Sequence, residues 1–308
     1  MLINKQMNYT NTYYNLYNKQ QSVLPPQFQE EENYIMRFHT KLPYYAYNGQ
    51  SLIVIFFKKG QGSLIVDGKR LKVSNQKFII LNPTSHWEYI NTRDEDIDVL
   101  SFALSQEMLS KQRYFKKASH HKLLNSPFES MDSDNFFFEQ NFSVNCYHSG
   151  KLLSRIHNLS NIQSPSLINS DEVCMEVLES ILNDQVHFYE KSKSITAVKN
   201  STQQEIMKRL LVAFEYIHDN VTKKITIKEL AVSSSLSEFH LFNSFKNVFG
   251  STPHQYMNAQ KMTKAREMLQ KDSLSVSEVS TLLNFPDVPT FSKLFKKTFG
   301  KSPTHFMQ

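Results

Sequence analysis

No stretch of this 308-residue chain approaches the ~18 consecutive apolar residues of a membrane span. Met1–Gln20 is polar and rich in Asn and Tyr, with no apolar core of a signal peptide, so the expectation is a cytoplasmic protein with no membrane partner. Cysteine is scarce: Cys146 and Cys174 are the only two, too few for a disulfide framework. Two free buried thiols in a reducing compartment are the first reading and a disulfide between them the second, and neither sits in the context of a catalytic nucleophile. Charge imbalance is missing from the first 200 residues, where 21 Lys and Arg meet 20 Asp and Glu. From Ser201 onward there are 14 against 9, so the net charge of +6 lies almost wholly in the last third. That placement suggests a polyanion as partner.

What is present argues for folded domains. Forty per cent apolar and 12% aromatic residues suffice for packed cores, which excludes general disorder, and the length accommodates about two domains. "SLIVIFF" (Ser51–Phe57), "GSLIVDGKRLKV" (Gly62–Val73), "KFIILNP" (Lys77–Pro83) and "IDVLSFAL" (Ile97–Leu104) read as short strands, with Asp67-Gly68 as a hairpin turn. Their roughly ten-residue spacing predicts an antiparallel sandwich or barrel, and the Phe-rich stretch from Leu123 to Val144 is expected to add strands.

From about Leu152 the pattern turns helical. In Asp171–Ser192, Val173, Val177 and Ile181 form one stripe with Leu178 and Leu182 beside it, which suits either a dimer contact or docking on the chain's own sheets. The first is the preferred reading. Residues 191–204 are polar and aperiodic, as in a linker. Short helices with tight joins follow. The expected organisation is residues 1–150 for the strands, 151–192 for a dimerising helical segment, 193–204 for the linker and 205–308 for a helical domain.

One phrase occurs twice, as "SFKNVFGSTPHQYM" (Ser244–Met257) and "LFKKTFGKSPTHFM" (Leu294–Met307). Each copy follows a short helix, a tight turn ("SSLS", "NFPD") and the start of a second helix. That is a helix-turn-helix unit written twice, with a longer helix between. Ala231 and Ser280 are small where the helices cross, and Ser237 and Asp287 suit N-caps. Phe245, Phe249, Phe295 and Phe299 face the cores, and Gly250 and Gly300 suit the C′ position.

Residues 205–308 resemble the DNA-binding domain of AraC/XylS-type transcriptional regulators. The resemblance rests on Leu230-Ala231, Ser237, Leu241, Phe245-Lys246 and Gly250–Tyr256, then on Ala265 and Leu269. In the second unit it rests on Phe285, Asp287, Phe291, Phe295-Lys296, Gly300, Ser302 and Pro303. Asn284 stands where the family has glycine, Ser280 where it has alanine, Asn243 and Lys261 where it often has arginine. By motif position, the resemblance aims Phe239, Phe242, Asn243, Val288, Pro289, Ser292 and Lys293 at base edges. Asn pairs with adenine and Phe meets a thymine methyl, so A·T-containing sites are expected. Lys246, Lys296, Lys297 and Lys301 are the candidates for phosphate.

"GQGSLIVDGKRLKVSNQKFIILNPTSHWEYI" (Gly60–Ile90) is similar to the strands of a cupin barrel, the sensor fold attached to many such regulators. The expected fold is therefore α+β multidomain, a cupin-like antiparallel β-barrel with helices followed by an all-α domain with two helix-turn-helix units. The His-x-His and Glu of metal-holding cupins are missing and His86 stands nearly alone, so neither metal nor other cofactor is expected. Phe38, Tyr45, Phe57, His86, Trp87 and Tyr89 are candidates to line a ligand pocket, for a sugar or an apolar metabolite, although Trp87 also suits a core plug. The expected function is that of a sequence-specific DNA-binding transcription regulator, modulated by a small effector, homodimeric and without enzymatic activity. Activation, with RNA polymerase as partner, follows from the resemblance alone. The alternatives are a metal-dependent cupin enzyme fused to a DNA-binding domain, and a constitutive regulator whose barrel only dimerises.

Overall fold

The computed structural model describes residues 32–40, 43–93, 95–117, 137–159, 170–197, 199–271 and 274–307. The chain divides into two compact units, Met1–Val186 and His187–Gln308. Most of the Phe-rich stretch lies outside the described residues.

In the first unit the strands are β1 (Tyr34–Thr40), β2 (Tyr44–Tyr47), β3 (Leu52–Lys59), β4 (Gly62–Val66), β5 (Lys69–Val73), β6 (Lys77–Leu81), β7 (Trp87–Asn91), β8 (Ile97–Leu104) and β9 (Asn141–Ser143). They form two antiparallel sheets, ordered β1-β8-β3-β6-β9 and β2-β7-β4-β5. Among the described residues no strand pairs from one sheet to the other, so the expected cupin-like barrel takes an open, two-sheet form. Asp67 and Gly68 turn β4 into β5 with both φ angles positive, +46° and +77°, the geometry Asp-Gly favours.

Side-chain alternation explains why β3 and β6 are apolar at nearly every position. Ile53, Ile55, Phe57, Ile79 and Leu81 enter the core between the sheets, where they meet Leu64, Val66, Trp87 and Tyr89. The intervening Leu52, Val54, Phe56, Phe78 and Ile80 are also buried, on the opposite face of the same sheet. Helices α1 (Gln106–Lys117), α2 (His148–Leu159) and α3 (Ser170–Ser192) follow. On that second face the Phe56 ring meets His157 of α2 edge-on, centroids 5.6 Å apart. Val177, Leu178 and Ile181 of α3 are fully buried. The stripe that the sequence offered to a second copy is thus buried within the chain.

The second unit is helical: α4 (Asn200–Asp219), α5 (Ile227–Ser233), α6 (Glu238–Phe249), α7 (Pro253–Lys271), α8 (Val276–Leu282), α9 (Val288–Phe299) and a 3-10 turn, Pro303–Phe306. Much of the segment read as a linker is folded. Residues 200–204 form the first turn of α4, and Ile195 is only 3% exposed. Gln203 holds this stretch by donating to the carbonyls of Ile195 (3.2 Å) and Ala197 (2.9 Å). Lys191 Nζ lies 5.3 Å above the Phe249 ring, and Ser194 Oγ donates to the Asn247 carbonyl at 3.2 Å. Both contacts fasten residues 191–195 to the C-terminal end of α6.

Candidate nucleic-acid interface and sheet cavity

The two helix-turn-helix units, α5–α6 and α8–α9, are built with the same parts. Thr226 and Ser275 each cap the first helix in a reciprocal box with the Glu three residues on. Hydrogen bonds from Thr226, the backbone first, hold Glu229 below the ordinary glutamate pKa, and the Ser275 side chain and backbone do the same for Glu278. At the turns, Leu236 N donates to Ala231 O and Phe285 N to Ser280 O, each at 3.0 Å. Ala231 and Ser280 are buried where the second helix crosses, which leaves no room for a larger side chain.

The second helix of each unit starts on a side-chain cap. Ser237 Oγ accepts from His240 N, and Asp287 Oδ1 from Thr290 N. The backbone bond to Thr290 is the main cause of the lowered Asp287 pKa. Each helix ends on a left-handed glycine, Gly250 at φ +74° and Gly300 at +77°, whose N–H donates to the carbonyl of Lys246 or Lys296. One residue, Leu236, separates Ser235 from the first cap, whereas two, Phe285 and Pro286, separate Asn284 from the second, the extra one being Pro286.

Burial sorts the residues of both helices by face. Leu241, Phe245 and Val248 of α6 point inward, as do Phe291 and Phe295 of α9. The opposite faces carry the sequence candidates at helical spacing. Phe239 is 73% exposed and Phe242 42%, with Asn243 exposed beside them. On α9, Pro289 and Lys293 are exposed, while Val288 and Ser292 are half-buried. Lys246, Lys296, Lys297 and Lys301 all reach solvent. The two faces differ in charge: three lysines sit on α9 and one on α6.

Lys261 of α7 has a role that no sequence signal revealed. Its Nζ donates to the Leu283 carbonyl at 2.7 Å and lies 5.4 Å above the Phe285 ring, tying α7 to the turn of the second unit. Burial lowers its pKa. Arg266 similarly lies 4.9 Å above the Phe299 ring and holds α7 on α9.

The first unit encloses a cavity of about 40 Å³ between its sheets, lined in part by Met36, Tyr45, Tyr47, Phe57, Trp87 and Tyr89. Of the sequence candidates, Tyr45, Phe57, Trp87 and Tyr89 meet there. His86 does not. It is exposed just ahead of β7, its backbone N–H donating to Asp67 Oδ1 at 3.1 Å and its carbonyl accepting from Asp67 N. Phe38 falls in β1, and its side chain lies outside the described residues. Gly62 is required by Tyr89, since a Cβ there would come within 2.8 Å of the Tyr89 ring and 2.5 Å of the Ile90 carbonyl. Among the described residues no group of three His, Cys, Asp or Glu is placed to hold a metal ion, and no helix is long and apolar enough to cross a membrane.

Comparison with known proteins agrees with the geometry of the second unit. Residues 230–308 match a family described as a helix-turn-helix domain. LumQ of Photobacterium leiognathi, a probable transcriptional regulator, is 26% identical over 143 residues, covering 42% of this chain and 58% of the relative. The xylose operon regulatory protein of Escherichia coli (strain K12) is 29% identical over 97 residues, 32% of this chain and 25% of the relative. The raffinose operon transcriptional regulatory protein RafR of Pediococcus pentosaceus is 25% identical over 154 residues, covering 50% and 53%. The chain thus spans between a quarter and about three fifths of the length of these relatives. With both turns, the helix caps and the matched residues in place, residues 230–308 are a helix-turn-helix domain.

Proposed function

We propose that this chain is a sequence-specific DNA-binding transcription regulator whose occupancy of DNA responds to a small ligand held between its N-terminal sheets. The observation that carries the first half is the pair of exposed helix faces, each N-capped and each backed by a buried apolar stripe, Leu241, Phe245 and Val248 in one and Phe291 and Phe295 in the other. Such a helix enters the major groove with its N-terminal side chains toward the bases. In this reading Phe239, Phe242 and Asn243 face one groove segment, and Val288, Pro289, Ser292 and Lys293 the next. Lys246, Lys296, Lys297 and Lys301 neutralise phosphates. That two of the relatives are operon regulatory proteins supports the same reading, and it weighs against a cupin enzyme. The reading includes cytoplasmic location, homodimerisation and activation through RNA polymerase. For a dimer, α3 offers Met175 and Val186, exposed at 46% and 52%, in place of the buried stripe.

The test is a gel shift on A·T-containing duplexes across a salt series. Affinity should fall linearly with the logarithm of salt concentration. Lys296→Gln and Lys297→Gln should each lower that slope by about one and weaken binding on every sequence alike. A salt-independent affinity would overturn the reading.

A further inference from the structure

The cavity between the sheets has a definite chemistry. Five aromatic residues, Tyr45, Tyr47, Phe57, Trp87 and Tyr89, surround it, and its remaining wall is aliphatic apart from Ser101. Among the described residues no charged side chain lines it, because strand alternation sends Arg37 and Asp98 to the other face of their sheet, where they pair at 3.2 Å. The tyrosine hydroxyls of Tyr47 and Tyr89 are drawn to the chain, Tyr47 accepting from Ser51 N and Tyr89 donating to the Gln61 carbonyl, both at 3.4 Å. Burial raises the Tyr89 pKa to about 12, so that hydroxyl stays neutral. One buried polar atom among the side chains that line it has no hydrogen-bond partner. Trp87 is 5% exposed, lies between the Tyr45 and Tyr47 rings at 5.5 and 5.7 Å, and its indole Nε1–H is buried with no hydrogen-bond partner.

A sugar brings several hydroxyls that this wall cannot satisfy, and a carboxylate brings a charge without a cation to meet it. An apolar body with a single oxygen suits both the aromatic wall and the lone donor. We propose that the cavity takes a neutral, largely apolar small molecule bearing one hydrogen-bond-accepting oxygen, a ketone or ester, with that oxygen on Trp87 Nε1–H. This rests on the reading of the first unit as the ligand-responsive part. At about 40 Å³ the space holds little more than a water molecule, so the occupant must part the wall. The element that yields is β2, four residues long, at the edge of its sheet and paired only with β7, with Tyr45 and Tyr47 half-exposed.

Trp87 is the single tryptophan of the chain, so its fluorescence reports this wall alone. The full chain is titrated with 2-heptanone, sodium heptanoate and D-xylose, following Trp emission and thermal unfolding. 2-Heptanone should give a saturable emission shift and a raised Tm, and the other two should give neither at the same concentration. Trp87→Phe, read by thermal unfolding with circular dichroism confirming the fold, should weaken 2-heptanone binding about tenfold. A second variant, Val99→Phe, fills the cavity from its aliphatic wall and should abolish the 2-heptanone response with Trp87 intact. Saturable binding of xylose or heptanoate, unchanged binding to Trp87→Phe, or no response to 2-heptanone up to about 10 mM overturns the proposal. A gel shift with and without 2-heptanone separates the two readings. Binding without any change in DNA occupancy sinks the regulatory reading and leaves the ligand chemistry standing.

Discussion

Ser235 and Asn284 share one backbone conformation at equivalent turns of the two helix-turn-helix units, left-handed at φ +53° and +55°. Neither is glycine, so both turns hold their shape against the usual steric preference. Ser235→Gly should stabilise the second unit by about 0.5–1 kcal/mol. Asn284→Val should destabilise it by about 1–2 kcal/mol, because the branched side chain clashes and the bond from Asn284 Nδ2 to the Thr222 carbonyl is lost. Urea unfolding of the two variants checks the opposite signs.

Phe239 is a large apolar side chain spending most of its surface on water, so its removal should cost the fold little. Phe239→Ala should leave Tm nearly unchanged and weaken binding to duplexes with thymine at the contacted position by about 1–2 kcal/mol. Asn243→Ala should relax preference at a single adenine. Binding selections on randomised duplexes read both, and an unaltered preference for Asn243→Ala would remove it as a base reader.

Asp98 joins β8 to two partners, with Arg37 Nη2 at 3.2 Å and His157 Nε2 at 2.8 Å. Burial alone would raise its pKa, but the hydrogen bond and positive field of His157, together with Arg37, outweigh it and hold the carboxyl below its ordinary 3.8. The stability this contributes is complete above pH 3.8 and drains away as pH falls through the lowered value. Asp98→Asn should therefore unfold at a lower Tm at neutral pH yet lose less on acidification, measured by calorimetry between neutral pH and about pH 3.

Ile195, buried within the segment that composition marks as a linker, should behave as a core residue. Ile195→Ala should cost about 2–4 kcal/mol in unfolding of the second unit. A change below about 0.5 kcal/mol, the usual surface value, would show that the segment is only loosely attached.

Legibility in the sequence followed the range of the interactions. The caps at Ser237, Asp287, Gly250 and Gly300 were readable because a cap is satisfied within four residues. The Asp67-Gly68 hairpin was readable for the same reason. β2 carries too short a pattern to announce itself, and β1, which opens on three apolar residues, alternates over only part of its length. The α3 stripe is buried within the chain, and periodicity, which marks an apolar face, does not say what covers it. Lys261 stands where the resembled family often has arginine, and only the fold brings it to the Leu283 carbonyl. The start of α4 at Asn200 was missed because its first turn is wholly polar.

Pro286, the extra residue in the second turn, means that the two copies have different frames ahead of their reading helices and the same frame after them. A segment moved from one copy to the other therefore keeps its register from the caps Ser237 and Asp287 onward and falls one residue out of register if it includes the turn. The halves of the duplication are locked as scaffolds yet free to diverge as readers, so one half of an operator can change while the other stays fixed.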